Sequence, residues 1–183
     1  MKLAIIGYGA MGSYHAACLQ NYAKSAPSHP IEIAGVYDVD PARAEAARSA
    51  GLHAYASAEE IWADASVGAV LLAVPNDFHA PYTFAAAEAG KNILCEKPVA
   101  LSAAQAEKMY AAAERAGVLF EVHQNRRWDD DFLTVRKIAE SGAIGSVYKI
   151  ESRVTGGNGI PGGWRKKRAQ GGGMLLDWGV HLI

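Results

Sequence analysis

Five apolar runs recur along the first two thirds of the chain, and each has the length of a buried strand. They occupy residues 2–6, 31–37, 68–74, 92–96 and 118–122. These runs do not alternate with polar residues, which favours strands covered on both faces over strands with one face in water. Stretches of helical character, rich in Ala, Glu and Arg, lie between them. Alternating strands and helices joined by short links predict a parallel α/β sheet.

Small residues mark where the helical stretches begin and end. Four glycines each follow such a stretch, where a left-handed C-terminal cap belongs: Gly51, Gly90, Gly117 and Gly142. Ser57 with Glu60, and Ser102 with Gln105, have the spacing of capping boxes. A weaker pattern at residues 53–55 predicts a short additional strand.

The pattern changes after residue 122. Residues 127–142 predict a helix, whereas residues 147–154 alternate apolar and polar positions, which predicts a strand with one exposed face. The chain ends in GGGMLLDWGVHLI, which predicts a glycine hinge and a helix with Asp177 and His181 on one face. We therefore expect one domain at 1–122 and a second at 123–183 that is too small to close its own core.

Composition and charge exclude several classes of protein. The 183 residues carry a net charge of −1, so no overall basic field favours nucleic acid or an anionic membrane. Apolar runs do not reach the roughly 20 residues that a membrane-spanning helix needs. The two cysteines, Cys18 and Cys95, belong to no CxxC pattern. Reduced thiols and a cytoplasmic location are the simplest interpretation.

A GxGxxG motif follows the first apolar run and opens a helix, the context that predicts a dinucleotide site. The loop consists of Gly7, Tyr8, Gly9, Ala10, Met11 and Gly12. Gly7 would permit the tight turn, Gly9 the approach of a pyrophosphate to the backbone, and Gly12 close packing of the helix on the strand. The N–H groups at the start of the helix would bind the phosphates.

An acidic residue directly follows the second apolar run, at a place where it can contact the ribose of a dinucleotide. Asp38 could accept hydrogen bonds from the ribose hydroxyls and would repel a 2′-phosphate, which favours NAD over NADP. It follows Gly12 by 26 residues, more than the usual ~20, and a polar insert at 24–30 accounts for the excess. NADP stays a possible cofactor, because the Arg43 guanidinium could reach a 2′-phosphate beside Asp38.

A lysine follows the fourth apolar run in the sequence Glu96-Lys97-Pro98. Ligands of open parallel sheets bind at the carboxyl ends of the strands. Pro98 fixes its own φ and restricts Lys97 to extended backbone, so the ammonium is held where it could donate a hydrogen bond to a substrate oxygen. The alternative is an ordinary surface lysine. His15, on the first predicted helix, is expected to be structural or exposed.

Four segments together resemble the glucose-fructose oxidoreductase / inositol dehydrogenase / MocA family of NAD(P)-dependent oxidoreductases, in the same order: GYGAMG, AVPNDFH at 73–79, EKP at 96–98 and WRKKRAQGGGMLLDWGVH at 164–181. The resemblance extends over the whole chain. It implies that Lys97, Asp177 and His181 are catalytic. The further cofactor-binding residues that it implies are Val74, Pro75, Asn76, His79, Glu96, Lys97, Asn125, Trp164 and Arg165. For His79 the alternative is a residue that merely begins a helix.

The resemblance implies oxidation of a sugar, polyol or inositol-like hydroxyl. Histidine titrates near neutral pH, so His181 is the better proton acceptor, while Lys97 would stabilise the developing alkoxide and Asp177 would orient the base. Lys97 and His181 could exchange roles. Two ligands without a third disfavour a metal site at Asp177 and His181, and no metal is expected. The basic run at 165–168 is expected to be a solvated loop rather than a nucleic-acid surface.

Members of this family are longer than this chain, and their second half completes an open sheet that forms a substrate wall and an oligomer interface. The expected fold is therefore a Rossmann-type doubly wound parallel sheet followed by the truncated start of an α+β substrate domain. The chain ends inside a predicted helix, which favours a fragment over a naturally truncated product. A homo-oligomer is expected for the full-length form. The alternative function is a noncatalytic dinucleotide-binding module or regulatory subunit.

Overall fold

The computed structural model describes residues 1–26, 28, 31–155 and 162–182. The chain divides into two compact units, Met1–Val122 and His123–Ile183. That the second unit is the incomplete start of a substrate domain stays a prediction. Across the described part of the chain, every helix is too short or too polar to cross a lipid bilayer.

A five-stranded sheet forms the centre of the first unit. Its strands are β1 (Lys2–Ile6), β2 (Glu32–Tyr37), β3 (Val67–Leu72), β4 (Asn92–Glu96) and β5 (Phe120–His123), which ends at the unit boundary. The strand order is β2-β1-β3-β4-β5, and the pairings of β1 with β2, β1 with β3 and β3 with β4 are parallel. The order reverses direction at β1, which confirms the predicted doubly wound sheet.

Helices cover both faces of this sheet. They are α1 (Ala10–Ser25), α2 (Pro41–Ser49), α3 (Ala58–Ala63), α4 (His79–Glu88) and α5 (Ala103–Ala116). Ile5 and Leu71 belong to a buried cluster that includes Ala16 of α1, while Ile6 and Leu72 belong to a second cluster that includes Ala86 of α4. Successive residues of a strand point to opposite faces, so a run buried on both faces is apolar throughout.

The predicted helix ends are confirmed with one exception. Gly51, Gly90, Gly117 and Gly142 have φ values of 77°, 68°, 68° and 73°. In the Ser102 box, Ser102 Oγ accepts from the Gln105 N–H at 3.2 Å, and Gln105 Oε1 accepts from the Leu101 N–H at 2.8 Å. The Ser57 box is wrong in detail. Ser57 makes no side-chain cap to α3, although the Glu60 carboxylate accepts from the Ala56 N–H at 2.8 Å, as Gln105 does from Leu101.

The short additional strand at residues 53–55 is present in its smallest form. Val36 and Ala54 make an isolated parallel bridge, with hydrogen bonds of 2.8 Å from the Val36 N–H to His53 O and from the Tyr55 N–H to Val36 O. This bridge extends the sheet beyond β2.

The second unit contains short helices and turns. After a 3₁₀ turn at Asn125–Trp128 comes α6 (Asp130–Glu140), and after further 3₁₀ turns comes α7 (Met174–Asp177). The predicted strand at 147–154 is wrong, because those residues form no regular secondary structure and all are exposed. A strand is stable only when its backbone N–H and C=O groups find a partner strand, and the described part of the second unit supplies none.

The predicted single helix that carries Asp177 and His181 is also wrong. α7 ends at Asp177, and a separate 3₁₀ turn spans Gly179–His181. The hydrogen bonds change from the i+4 type, Trp178 N–H to Met174 O, to the i+3 type, His181 N–H to Trp178 O. Gly179 accounts for the break, because glycine disfavours the helix interior and so short a segment makes few bonds to resist it.

Candidate dinucleotide and substrate site

The GxGxxG loop joins β1 to α1 in a geometry that requires two of its glycines. Gly7 has φ +93°, and a Cβ there would lie 2.4 Å from Ala73 O. A Cβ on Gly12 would lie 1.9 Å from Gly7 O, so α1 packs directly on the loop. Gly9 is the N-cap of α1 and supplies no side-chain acceptor. The N-terminus of α1 is therefore suited to an anion such as a pyrophosphate.

Asp38, at the end of β2, is bonded to the glycine loop. Its Oδ2 accepts from the Tyr8 N–H at 2.6 Å, and its Oδ1 accepts from the Asp40 N–H at 2.9 Å. Arg43 Nη1 lies 3.4 Å from the same Oδ2 and is half exposed, whereas the Asp38 side chain is only 3% exposed. Asp38, which favours NAD, and Arg43, which could bind the 2′-phosphate of NADP, therefore lie side by side.

An apolar cavity of about 160 Å³ adjoins Asp38 at the carboxyl ends of β1, β2 and β3. Its apolar lining consists of Ile6, Tyr37, Val39, Ala73, Val74, Pro75, Phe78 and Tyr82. Burial raises the pKa of the Tyr82 phenol, so this side chain is neutral at physiological pH. A slot of aromatic and aliphatic groups beside a carboxylate suits a flat base attached to a ribose.

Lys97 follows β4 at a bend, half-buried, and its peptide bond to Pro98 is cis. The neighbouring Glu96 side chain is only 7% exposed, and its Oε1 lies 2.6 Å from His15 Nε2 of α1. Its other oxygen, Oε2, accepts from the Lys97 backbone N–H at 3.2 Å. Both carboxylate oxygens of Glu96 are therefore engaged, one by α1 and one by the lysine backbone.

Two polar residues after β3 are buried. Asn76 is 2% exposed, and His79 is fully buried. His79 Nδ1 lies 2.9 Å from Pro98 O, and its Nε2 lies 3.1 Å from Val74 O. Burial lowers the pKa of His79, so the imidazole is neutral and donates through one nitrogen at a time. His79 does begin α4, as the alternative interpretation had it; contact with a cofactor stays a prediction.

In the second unit, Asp177 is a buried carboxylate with a cationic partner. Its side chain is 8% exposed, and its Oδ2 accepts from Arg165 Nε at 3.1 Å. The Arg165 guanidinium lies over the Trp164 ring, 4.5 Å from the centroid. The structure therefore brings together Asp177, Arg165 and Trp164, which the sequence assigned to different roles.

His181 lies against an aromatic side chain of the same unit. Its ring meets Trp178 edge-on, with centroids 5.9 Å apart, and Arg126 lies 5.5 Å from the centroid of that tryptophan. The Gln124 amide donates to Val180 O in the same turn. Asn125, the remaining candidate here, lies exposed in the 3₁₀ turn Asn125–Trp128.

Sequence reasoning missed two residues of the first unit, Phe78 and Tyr82, and also the partner of His15, a residue that it expected to be structural or exposed. The partner of His15 lies 81 positions along the chain, and no local pattern reveals it. A signal did exist for Phe78 and Tyr82, because they follow β3 and ligands gather at the carboxyl ends of strands.

Comparison with known proteins decides the family. Residues 1–124 match the model of the oxidoreductase family with the NAD-binding Rossmann fold, and residues 132–183 match the GFO/IDH/MocA C-terminal domain. The chain belongs to the GFO/IDH/MocA oxidoreductase family. Its first unit is accordingly an NAD-binding Rossmann domain, and the resemblance found in the sequence motifs is confirmed.

Three relatives illustrate the similarity. An NAD-binding protein from Listeria innocua superimposes with a TM-score of 0.92 at 48% identity, over 99% of this chain and 52% of that one. The scyllo-inositol 2-dehydrogenase (NADP⁺) IolW of Bacillus subtilis is 35% identical over 68% of this chain and 35% of its own length. The D-glucoside 3-dehydrogenase of Escherichia coli is 31% identical over 100% of this chain and 52% of its own. In these matches the chain spans no more than about half of the relative.

Proposed function

We propose that the protein transfers a hydride between a nicotinamide cofactor and a hydroxyl-bearing carbon of a sugar, polyol or inositol. The observation that carries this proposal is the position of Lys97. It follows β4 at the carboxyl edge of the same sheet whose β1 ends in the glycine loop. The inositol and glucoside dehydrogenases among its relatives support the substrate class.

The residues of the first unit fit a dinucleotide. Gly7 and Gly12 let the loop and α1 pack closely, because a Cβ at these positions would clash with Ala73 O and Gly7 O. A Cβ on Gly9 would meet only the end of the Arg43 side chain, so this glycine leaves room for a pyrophosphate to approach the backbone. Asp38 would bind the ribose hydroxyls of the adenosine, and the aromatic cavity beside it would take the adenine. When bound, the nicotinamide supplies the hydride acceptor, and the protein supplies position and electrostatics.

The chemistry at the substrate belongs to three side chains. Lys97 donates a hydrogen bond to the reacting oxygen and stabilises negative charge that develops there. His181 takes the hydroxyl proton as the carbon gives up its hydride, and Asp177, fixed in place by Arg165, orients the substrate or the base.

The test is NADH formation by the intact protein over a panel of inositols, glucosides and other polyols. Replacement of Lys97 by Ala should lower kcat by about 10²–10⁴-fold, the range for a group that acts on a transferred proton or a developing charge. Lys108→Ala, which removes an exposed lysine of α5, is the matched control and should leave kcat unchanged. Tight NADH binding without turnover on any of these alcohols would support the noncatalytic module instead.

We further propose a preference for NAD over NADP. Asp38 would repel a 2′-phosphate, while Arg43 beside it would weaken that repulsion. Binding titrations should therefore give the lower Kd for NAD, and Arg43→Ala should raise the Kd for NADP alone. Equal affinities for the two cofactors in the unaltered protein would contradict the role of Asp38.

A cytoplasmic location and a homo-oligomeric full-length form complete the proposal. Support for the location comes from the cysteines, since Cys18 and Cys95 are free thiols in the described chain. Family resemblance supports the oligomer. Light scattering on the purified protein tests the oligomer, and alkylation of Cys18 in intact cells tests whether the thiol is reduced.

A further inference from the structure

Two histidines from different helices contact the residues on either side of Lys97. His15 of α1 contacts the side chain of Glu96, the residue before the lysine. His79 of α4 contacts the carbonyl of Pro98, the residue after it. His15 has been given no part in the chemistry above, and His79 only a predicted contact with the cofactor.

The contact before Lys97 is short and shielded. His15 Nε2 and Glu96 Oε1 are 2.6 Å apart, and the two side chains are 12% and 7% exposed. Because Glu96 Oε2 accepts from the Lys97 N–H at 3.2 Å, the carboxylate transmits the position of α1 to the lysine backbone. The N-terminus of this same helix forms the glycine loop.

The contact after Lys97 joins two loops. The His79 ring lies between Pro98 O at 2.9 Å and Val74 O at 3.1 Å, and it is fully buried. Val74 lines the apolar cavity. The ring therefore lies between the segment after β4 and the segment after β3, which borders the proposed adenosine site, and its single N–H can donate to either carbonyl.

We propose that His15 and His79 are positioning residues for Lys97, which fix the backbone segment 96–98 relative to the glycine loop and to the end of β3. This inference rests on the proposed function, because it gives Lys97 something to act on. A lysine ammonium moves on four rotatable bonds, so its reach is defined only if its backbone is fixed. An error of about 1 Å in the position of a reacting group can cost a hundredfold in rate.

Paired variants separate positioning from general stability. His15→Leu removes the contact to Glu96, whereas His15→Gln places an amide N–H where Nε2 now lies. His79→Leu likewise removes the contact to Pro98, whereas His79→Asn keeps a donor at the place of Nδ1. His53→Gln is the control, because His53 is an exposed histidine of the same unit.

Two measurements on the intact protein give the outcome. Amide hydrogen exchange over residues 96–101 should become at least tenfold faster in both leucine variants, with the central strands unchanged. With an accepted alcohol, kcat should fall by 10- to 100-fold while the Kd for NADH changes less than threefold, and the Gln and Asn variants should recover most of the rate. The control should match the unaltered protein in both.

Other results overturn the proposal. Leucine variants with a lower melting temperature but unchanged kcat and unchanged exchange at 96–101 would make the histidines merely structural. Gln and Asn variants as impaired as the leucine variants would exclude the hydrogen bonds as the cause. If the unaltered protein turns over no alcohol, the proposed function fails, and the exchange measurement still decides whether the histidines hold segment 96–98.

Discussion

The two units of the chain are stabilised in different ways. In the described chain, every buried apolar side chain belongs to the first unit, where Ile5, Ile6 and Leu71 are 1% exposed or less. Among the described residues of the second unit, the buried side chain is the charged one of Asp177, at 5% residue exposure. The first unit depends on apolar burial shared among many side chains, and the second on a few directional polar contacts.

This difference predicts how each unit responds to substitution. Apolar burial contributes about 25 cal/mol per Å² and is nondirectional, so its loss at one position lowers the stability of the whole unit. A unit held by one shielded ion pair, by exposed ion pairs and by contacts between aromatic and cationic side chains should fail locally and at identifiable residues. Substitutions of one kind in both units therefore test the comparison.

The largest effect is expected from truncation of a core leucine. Leu71→Ala in β3 removes a side chain that is 1% exposed and leaves a cavity, which should lower the free energy of unfolding by about 2–5 kcal/mol. Leu175→Ala in the second unit removes a side chain that is 80% exposed and should change it by less than about 0.5 kcal/mol. Urea unfolding of both variants measures the difference. A comparable loss from Leu175→Ala would show that the second unit has an apolar core.

A smaller loss is expected when a methyl group is added to the glycine loop. Gly12→Ala places a Cβ 1.9 Å from Gly7 O, so α1 must move, and overpacking of this kind costs about 1–3 kcal/mol. In Gly9→Ala the Cβ meets only the end of the Arg43 side chain, at 3.4 Å.

The two glycine variants should therefore differ in which property they lose, thermal stability or NADH affinity. Gly9→Ala should keep its melting temperature and lose NADH affinity, because the methyl obstructs the phosphates, whereas Gly12→Ala should lose both. Thermal melting with and without NADH separates them. Unchanged NADH affinity in Gly9→Ala would place the pyrophosphate elsewhere.

The sequence predicted the first unit well because the residues that stabilise it form apolar runs and glycine motifs, which can be recognised within short segments of the chain. Five apolar runs became five strands, although the third and fifth are displaced by up to two residues at their ends. The glycine loop was predictable because Gly7 and Gly12 are required by backbone geometry alone. The bond from Tyr8 to Asp38 and the contact from His15 to Glu96 were not, since they join residues 30 and 81 positions apart.

The second unit shows where such patterns fail. The alternation of apolar and polar residues at 147–154 is compatible with a strand. A strand also needs a neighbouring strand to pair with, and alternation does not show whether one is present. The i, i+4 spacing of Asp177 and His181 implied one helix face, yet Gly179 divides the segment into two turns. The pairing of Asp177 with Arg165 depends on how the turns fold, which periodicity does not encode.

A third prediction addresses that pair. Arg165→Met removes the partner of a carboxylate that is 8% exposed, and a buried acceptor left without its donor costs about 1–3 kcal/mol. The effect should be local, with faster amide exchange at residues 174–182 and no change in β1 or β3. Arg168→Met, at an exposed arginine of the neighbouring turn, is the control and should leave exchange as it was. Faster exchange throughout the first unit in Arg165→Met would contradict a local role for this ion pair.

The smallest effect should appear in the pH dependence of the first unit. Burial lowers the pKa of His79 in the folded protein, whereas in the unfolded chain it returns to about 6.5. Below that pH the unfolded chain binds a proton that the folded protein does not, so the free energy of unfolding falls as the pH drops from 7.5 to 5. His79→Asn lacks this contribution and should show a shallower fall in urea titrations, even if it is less stable at pH 7.5.

His53→Gln, with its histidine exposed, should keep the steeper fall. Parallel curves for His79→Asn and the unaltered protein would mean that His79 takes up its proton in the folded state, and with two N–H groups it would then donate to Pro98 and Val74 together.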